Sequence, residues 1–350
     1  MRSSPLVGWF ADIGLGDRHE VGGKGGSLGE LQRAGIAVPP GFVVKTAAFE
    51  RFVQALERES PVRERVESLN AQDLAAVTAV SLELRARFAA APLPTAVADA
   101  IAAAHAALID GAAPSAVAVR SSATTEDGSE ASFAGLQDTY LWVMSLAQAQ
   151  DLLRRCWGSL YSVESISYRR KQGIQEKDVA MAVVVQTMAD ARTAGVMFTR
   201  SPLTGDRSVM AIEGSWGLGS AVVGGEVTPD RWVVGKITGE ISVREISAKL
   251  IRHDAAAGGG IETVAVPEEQ QRVPCLSDDE IQMLRTIGRK VERHYGRPQD
   301  IEWAVHRNTG EILLLQSRPE TVWSAKDAEP VGHAAANPST HVLSIFGGRR

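Results

Sequence analysis

Cysteine is scarce in this 350-residue sequence: Cys156 and Cys275 are the whole complement. Two thiols that far apart fit neither a disulfide framework nor a zinc site, and they predict buried, inert side chains. Positive charge is not in excess either. The formal net charge is -5, which gives no support for nucleic-acid binding, where a basic domain or stripe is the rule. No segment approaches the ~18 uninterrupted apolar residues of a membrane span. The opening "MRSSPLVGWFADIGLGDRHE" has no apolar stretch long enough for a signal peptide, so a cytoplasmic protein is expected. What is present is an ordinary globular composition, 44% hydrophobic and 23% charged, on a chain long enough for two domains.

The texture changes along the chain. A Gly-rich stretch leads into a helix expected from Ser27 to Ala34, then a short buried strand, "GFVV", and a second helix over 46–58. Two or three helices are expected within 61–110, a strand at 116–121, a polar loop over 121–139 and a helix over 146–170. From 179 onward short apolar runs separated by Gly, Pro and Asp read as strands. Residues 277–295 return to a helix capped by Ser277, and a hairpin follows. Helices first and an antiparallel-rich sheet second predict an α+β fold with a cleft between two lobes, 1–178 and 179–323, and a tail or linker over 324–350.

Two stretches suit an anion. "GGKGGSLGEL" sets Lys24 between glycine pairs ahead of a helix, where backbone amides, the helix N-terminus and the ammonium all favour phosphate. It lacks the P-loop spacing, and Gly-rich turns before helices are also plain punctuation. "VRSSATTEDGSEASFAGLQDT" puts Arg120 at a strand end, followed by a long Ser, Thr and Gly loop. Such a loop is either functional or a mobile surface segment. Its candidate phosphate contacts are Arg120, Ser132, Gly135 and Thr139. "IEGSWGLGSAVVGGE" is a further Gly-rich turn after a strand, with Glu213 either receiving a ribose hydroxyl or adenine amine or serving as a strand-end acid.

The hairpin "QDIEWAVHRNTGEILLLQSRP" carries acids at its start and Gln316 and Arg318 at its end. With Asn308-Thr309-Gly310 as a three-residue loop, strand alternation sets Glu302 opposite Gln316 and Asp300 opposite Arg318. Alternation also puts Ile312, Leu314, Gln316 and Arg318 on one face. Oxygen ligands of this kind suit Mg2+ shared with a phosphate, and a solvated cross-strand ion pair is the competing reading.

Together these stretches resemble the nucleotide-binding domain shared by phosphoenolpyruvate synthase, pyruvate phosphate dikinase and rifampin phosphotransferase. The resemblance runs in order from about Ile13 to Trp323. It implies an ATP-grasp-like, two-lobed fold that clamps ATP with Mg2+. It implies that Lys24 and Arg120 contact phosphate, that Gln186 borders the adenine, and that Glu213 approaches the sugar or base. By the same resemblance Glu302 and Gln316 are metal ligands with Asp300 beside them, and Arg318 stabilises the transferred phosphoryl group.

The family's acceptor histidine lies in a later domain, in a context that none of His19, His105, His253, His294, His306, His333 and His341 shares. The substrate-binding barrel is absent as well. The expected partners are therefore a phosphohistidine-bearing swivelling domain or subunit and an acceptor-binding domain or subunit. A natural separate subunit, as in phenylphosphate synthase, is the expected arrangement. The alternative is a regulatory nucleotide sensor or assembly subunit.

Overall fold

The computed structural model describes residues 4–110, 116–124, 138–321 and Trp323. In chain order the strands are β1 (Val7–Trp9), β2 (Gly41–Val44), β3 (Val117–Ala123), β4 (Thr139–Val143), β5 (Met181–Thr187), β6 (Ala191–Phe198), β7 (Val209–Trp216), β8 (Asp230–Gly235), β9 (Ile241–Glu245), β10 (Ile251–Ala255), β11 (Ile261–Ala265), β12 (Gln299–His306) and β13 (Ile312–Pro319). The helices are α1 (Arg18–Arg33), α2 (Thr46–Glu57), α3 (Arg63–Glu67), α4 (Leu74–Ala90), α5 (Thr95–Ile109), α6 (Leu146–Ser159), α7 (Val163–Gln172), α8 (Ser220–Val223), α9 (Glu268–Gln271) and α10 (Asp278–Tyr295). A five-stranded sheet runs β1-β2-β5-β3-β4, a six-stranded sheet runs β13-β12-β6-β7-β8-β9, and β10 and β11 pair alone. All the strand pairings within these sheets are antiparallel, as the α+β reading expects.

Each sheet has its own core. Phe49, Phe52, Phe88 and Trp157 pack against Val117, Val119, Val183 and Val185 on the first sheet. The second sheet buries Met210, Ile212, Trp232, Ile301, Trp303 and Leu314 against Ile281, Leu284 and Val291 of α10. That helix is fixed at both ends: Ser277 and Glu280 form a capping box, and Gly296 closes it in the left-handed region at φ 67°. Both thiols are free and buried, and desolvation raises both above the ordinary cysteine range. Among the described residues no single helix is long and apolar enough to cross a membrane.

Several boundaries differ from the sequence-based expectation. Residues 181–187, expected to open the second lobe, form the central strand of the first sheet, so the crossing between sheets falls between Thr187 and Ala191. Val183 and Val185 belong to the same core as the helices before them, which the boundary at 178 ignored. The 146–170 helix is two helices broken by the turn at Leu160–Ser162, where Ser162 caps the second. The Gly-rich helix starts earlier than Ser27, because a break at Gly22 is followed directly by helical backbone that includes Lys24. The strand β4 and the hairpin β10–β11 carry weak alternation, and neither emerged from the pattern of apolar residues.

Candidate active site

The site begins where α1 meets β3. Gly22 has φ 69° and ψ 178°, a backbone region that only glycine enters without strain. A Cβ there would overlap the carbonyl and hydroxyl of Ser122. The Ser122 hydroxyl donates to Val21 O at 2.9 Å and accepts from Gly25 N at 3.1 Å, bridging the break. One residue along β3, Ser121 O accepts from Lys24 Nζ at 3.0 Å. Sequence and packing thus deliver the Lys24 ammonium to the strand that carries Arg120.

Arg120 is buried, and its Nη1 donates across the lobes to Leu315 O at 3.0 Å. Its Nε is buried and makes no hydrogen bond among the described residues, so an anion there would gain a charge-assisted donor. Cross-strand pairs put Thr139 opposite Arg120 and Gln186 opposite Ala118 on the first sheet. Gln186 is buried and held by a bond from Nε2 to Pro39 O at 3.0 Å.

On the second sheet one rung runs across the strands as Gln316, Glu302, Val196, Glu213, Arg231 and Glu245. The expected pairs Glu302–Gln316 and Asp300–Arg318 are present. The expected face is not. A bulge between Glu302 and Trp303 leaves Leu315 as an extra residue, so Ile312 and Leu314 turn into the core while Gln316 turns to the opposite side. Ala304 and Leu315 join the small cluster on that opposite side.

Between the two sheets lies a cavity of about 330 Å3. Its polar wall contains Arg120, Thr139, Gln186, Glu302 and Gln316, and its apolar wall includes Ala118, Leu141, Met188, Ala189 and Leu218. Five predicted residues from distant parts of the chain therefore meet in one place. Lys24, Asp300 and Arg318 border that place without lining it. Glu213 shares the rung with Glu302, but its carboxylate lies 3.9 Å from Arg231 and outside the lining. Ser132 and Gly135 lie outside the described residues, as do His333 and His341. Of the five described histidines, His19, His105, His253, His294 and His306, none lines the cavity. Missing from the sequence-based set are Ala118, Leu141, Leu218 and Ser220, all of them in the wall. Only Ala118 had a readable signal, standing two residues from Arg120 and so on the same strand face.

The donor set fits a small hard cation. Asp300 sits beside Glu302 on the same strand face, with Oδ2 3.4 Å from Arg318 Nε and Oδ1 buried without a hydrogen bond. Burial raises the Asp300 carboxyl to about 6 against the opposing pull of Arg318. Among the described residues no group of three or more His, Cys, Asp or Glu side chains could hold a metal alone. Two carboxylates and one amide with room for phosphate oxygens suit Mg2+ better than a metal caged entirely by protein.

The arrangement is a two-sheet cleft with the Arg120 guanidinium on one wall and the Glu302 carboxylate on the other. The chain belongs to the family of the pyruvate phosphate dikinase AMP/ATP-binding domain, whose model matches residues 18–337. It is 42% identical over 317 residues to a probable phosphoenolpyruvate synthase of Methanothermobacter thermautotrophicus, covering 90% of this chain and 46% of that protein. It is 42% identical over 320 residues to a rifampicin phosphotransferase of a Streptomyces species, covering 91% of this chain and 36% of that protein. A phosphoenolpyruvate synthase of Pyrococcus furiosus is 36% identical over 373 residues, covering 94% of this chain and 46% of that protein. The chain thus spans less than half the length of these relatives.

Proposed function

We propose that this chain binds ATP with Mg2+ in the cleft, in an ATP-grasp-like manner, and passes a phosphoryl group to a histidine on a separate domain or subunit. The observation that carries this reading is the convergence of Arg120, Gln186, Glu302 and Gln316 on one cavity. The apolar wall receives the adenine beside Gln186, and the basic wall receives the phosphates. Lys24 and Arg120 orient the phosphate chain, and the unpartnered Nε of Arg120 gains its missing acceptor there. Glu302 and Gln316, with Asp300, would hold Mg2+, which when bound neutralises charge between adjacent phosphates. Arg318 is more than half exposed and stands at the open side of the hairpin, where it can meet the group in transit. Ser132 and Gly135, outside the described residues, are further phosphate contacts in this reading.

Overall ATP and one water yield AMP and phosphate, the water taking up the γ-phosphate while the β-phosphoryl group is carried on the partner histidine before it reaches pyruvate, phenol or a similar small acceptor. A cytoplasmic setting and a split assembly of the phenylphosphate synthase kind are part of this proposal. The test mixes the chain, labelled ATP and a histidine-bearing domain of a longer relative. Acid-labile phosphate on that domain is expected, and no label on a domain that its own ATP-binding part can phosphorylate would overturn the proposal.

A further inference from the structure

The Gly-rich turn after β7 enters the proposal above only through Leu218, yet it forms more of the cavity wall through Gly219, Ser220, Val223 and Gly224. It is built around one histidine. Gly217, at φ 74°, runs so close to β10 that a Cβ would lie 2.5 Å from His253 O. The next amide, Leu218 N, donates to that same carbonyl at 2.9 Å. The His253 side chain is buried and makes two polar contacts: Nδ1 lies 2.8 Å from Ser220 Oγ, and Nε2 lies 3.3 Å from Glu226 Oε2.

This chain of contacts has a direction. A carboxylate beside Nε2 favours the tautomer with the proton on that nitrogen, and in that tautomer Nδ1 is an acceptor. Ser220 must then donate its hydroxyl proton to Nδ1, which leaves only lone pairs for a ligand in the cavity. The position is equally defined. A Cβ at Gly219 would rest 3.5 Å from the Ala194 side chain, and Ala194 is two residues along β6 from Val196 in the Glu302 rung. Two residues of strand are about 7 Å, so Ser220 stands between the carboxylate rung and the apolar end formed by Met188 and Ala189. In a nucleotide whose base lies at the apolar end and whose phosphates lie at Arg120 and Glu302, that interval holds the sugar.

We propose that Ser220, with its hydroxyl oriented by His253 and Glu226, accepts a hydrogen bond from a ribose hydroxyl of the bound nucleotide and so discriminates nucleotides that carry that hydroxyl from those that lack it. His253 and Glu226 are positioning residues, and only Ser220 touches the ligand. The inference rests on the reading of the cavity as an ATP site.

The experiment titrates the full chain, with Mg2+, against ATP, 2′-deoxy-ATP, 3′-deoxy-ATP and inosine triphosphate in a calorimeter. One neutral hydrogen bond predicts that the wild type prefers ATP over one deoxy analogue by about tenfold. Ser220→Ala should remove that preference by weakening ATP alone, with affinity for the same deoxy analogue held. His253→Ala should reduce the preference although Ser220 is still in place. Equal weakening of ATP and both deoxy analogues in S220A, or no change at all, would overturn the assignment. So would a loss of preference against inosine triphosphate in place of the sugar analogues, which would point to the base amine. Failure of the wild type to bind ATP overturns the proposed function and this inference together, a result distinct from binding without sugar preference.

Discussion

Replacing Gly22 by alanine tests the junction that holds Lys24 beside the strand of Arg120. The backbone at φ 69° and ψ 178° is open to glycine alone, and a side chain there costs about 1–3 kcal/mol in conformation. The added Cβ would meet Ser122, whose carbonyl carbon would lie 2.5 Å away. That carbonyl cannot yield, because Ser122 is a fully buried residue of β3 paired to Ala182 in the central strand. The helix must lift instead, and the two hydrogen bonds of the Ser122 hydroxyl go with it, at about 1 kcal/mol each. Together these effects predict a loss of about 3–5 kcal/mol for G22A. S122A, which removes the two bonds without the strain, should lose about 2 kcal/mol. Urea unfolding followed by tryptophan fluorescence and circular dichroism measures both. The same variant should bind ATP more weakly, since Lys24 moves away from Ser121 O. A G22A midpoint indistinguishable from wild type, or a smaller loss than that of S122A, would refute the contact between the Gly-rich break and β3.

Other outcomes follow from single contacts. Lys249 and Asp230 form a fully buried ion pair, with Asp230 also accepting from Ser247 N and Cys275 N. Lys249→Met leaves an uncompensated charge and should cost about 3–5 kcal/mol in urea unfolding, whereas K249M paired with D230N should cost less. Glu30 accepts from His294 at 2.7 Å and from Leu15 N, and although burial opposes it, these bonds hold its carboxyl below the ordinary value. A lowered folded value means stability that is present above the ordinary carboxylate range and lost as pH falls through it. The stability difference between wild type and Glu30→Gln should therefore hold near neutrality and shrink in acid, and a difference that grows in acid would contradict the assignment. Glu302→Ala and Arg318→Ala should abolish phosphoryl transfer with unfolding midpoints near wild type, and wild-type rates in either would remove the hairpin from the mechanism.

The hairpin shows how far the sequence could be read. Symmetry about Thr309 correctly paired Glu302 with Gln316, but for a reason that was half accidental. The turn is one residue longer than assumed, with His306 N bonded to Glu311 O and Val305 opposite Ile312. The bulge at Leu315 then restores the register at the polar end. Turn signals carried the existence of the hairpin, whereas a bulge costs one unpaired residue and leaves no mark in apolar alternation. Gln186 came from the family resemblance alone, whereas Arg120 and Thr139 were legible as cavity residues because strand ends and long polar loops are where ligands meet a scaffold. Ser220 and His253 were not, since their contact joins segments 33 residues apart through a hairpin whose strands are polar on both faces. The lobe boundary failed for the same physical reason: hydrophobic texture changes at 179, but β5 completes a sheet begun more than 130 residues earlier.

The strand β13 stands last in its sheet, where a row of bare amides and carbonyls would ordinarily invite another chain to add a strand. Here the outward groups are already engaged by the opposite half of the molecule. Leu314 N donates to Ala37 O, Leu315 O accepts from Arg120, and Ser317 O accepts from Ser27 Oγ at 2.6 Å. Over this stretch the first lobe acts as the missing neighbour strand, assembled from a loop, an arginine and a helix. A separation of the lobes would thus do more than widen the cavity: it would expose an adhesive edge next to Gln316. Conditions that strip the nucleotide and open the cleft should also be those in which the chain begins to self-associate.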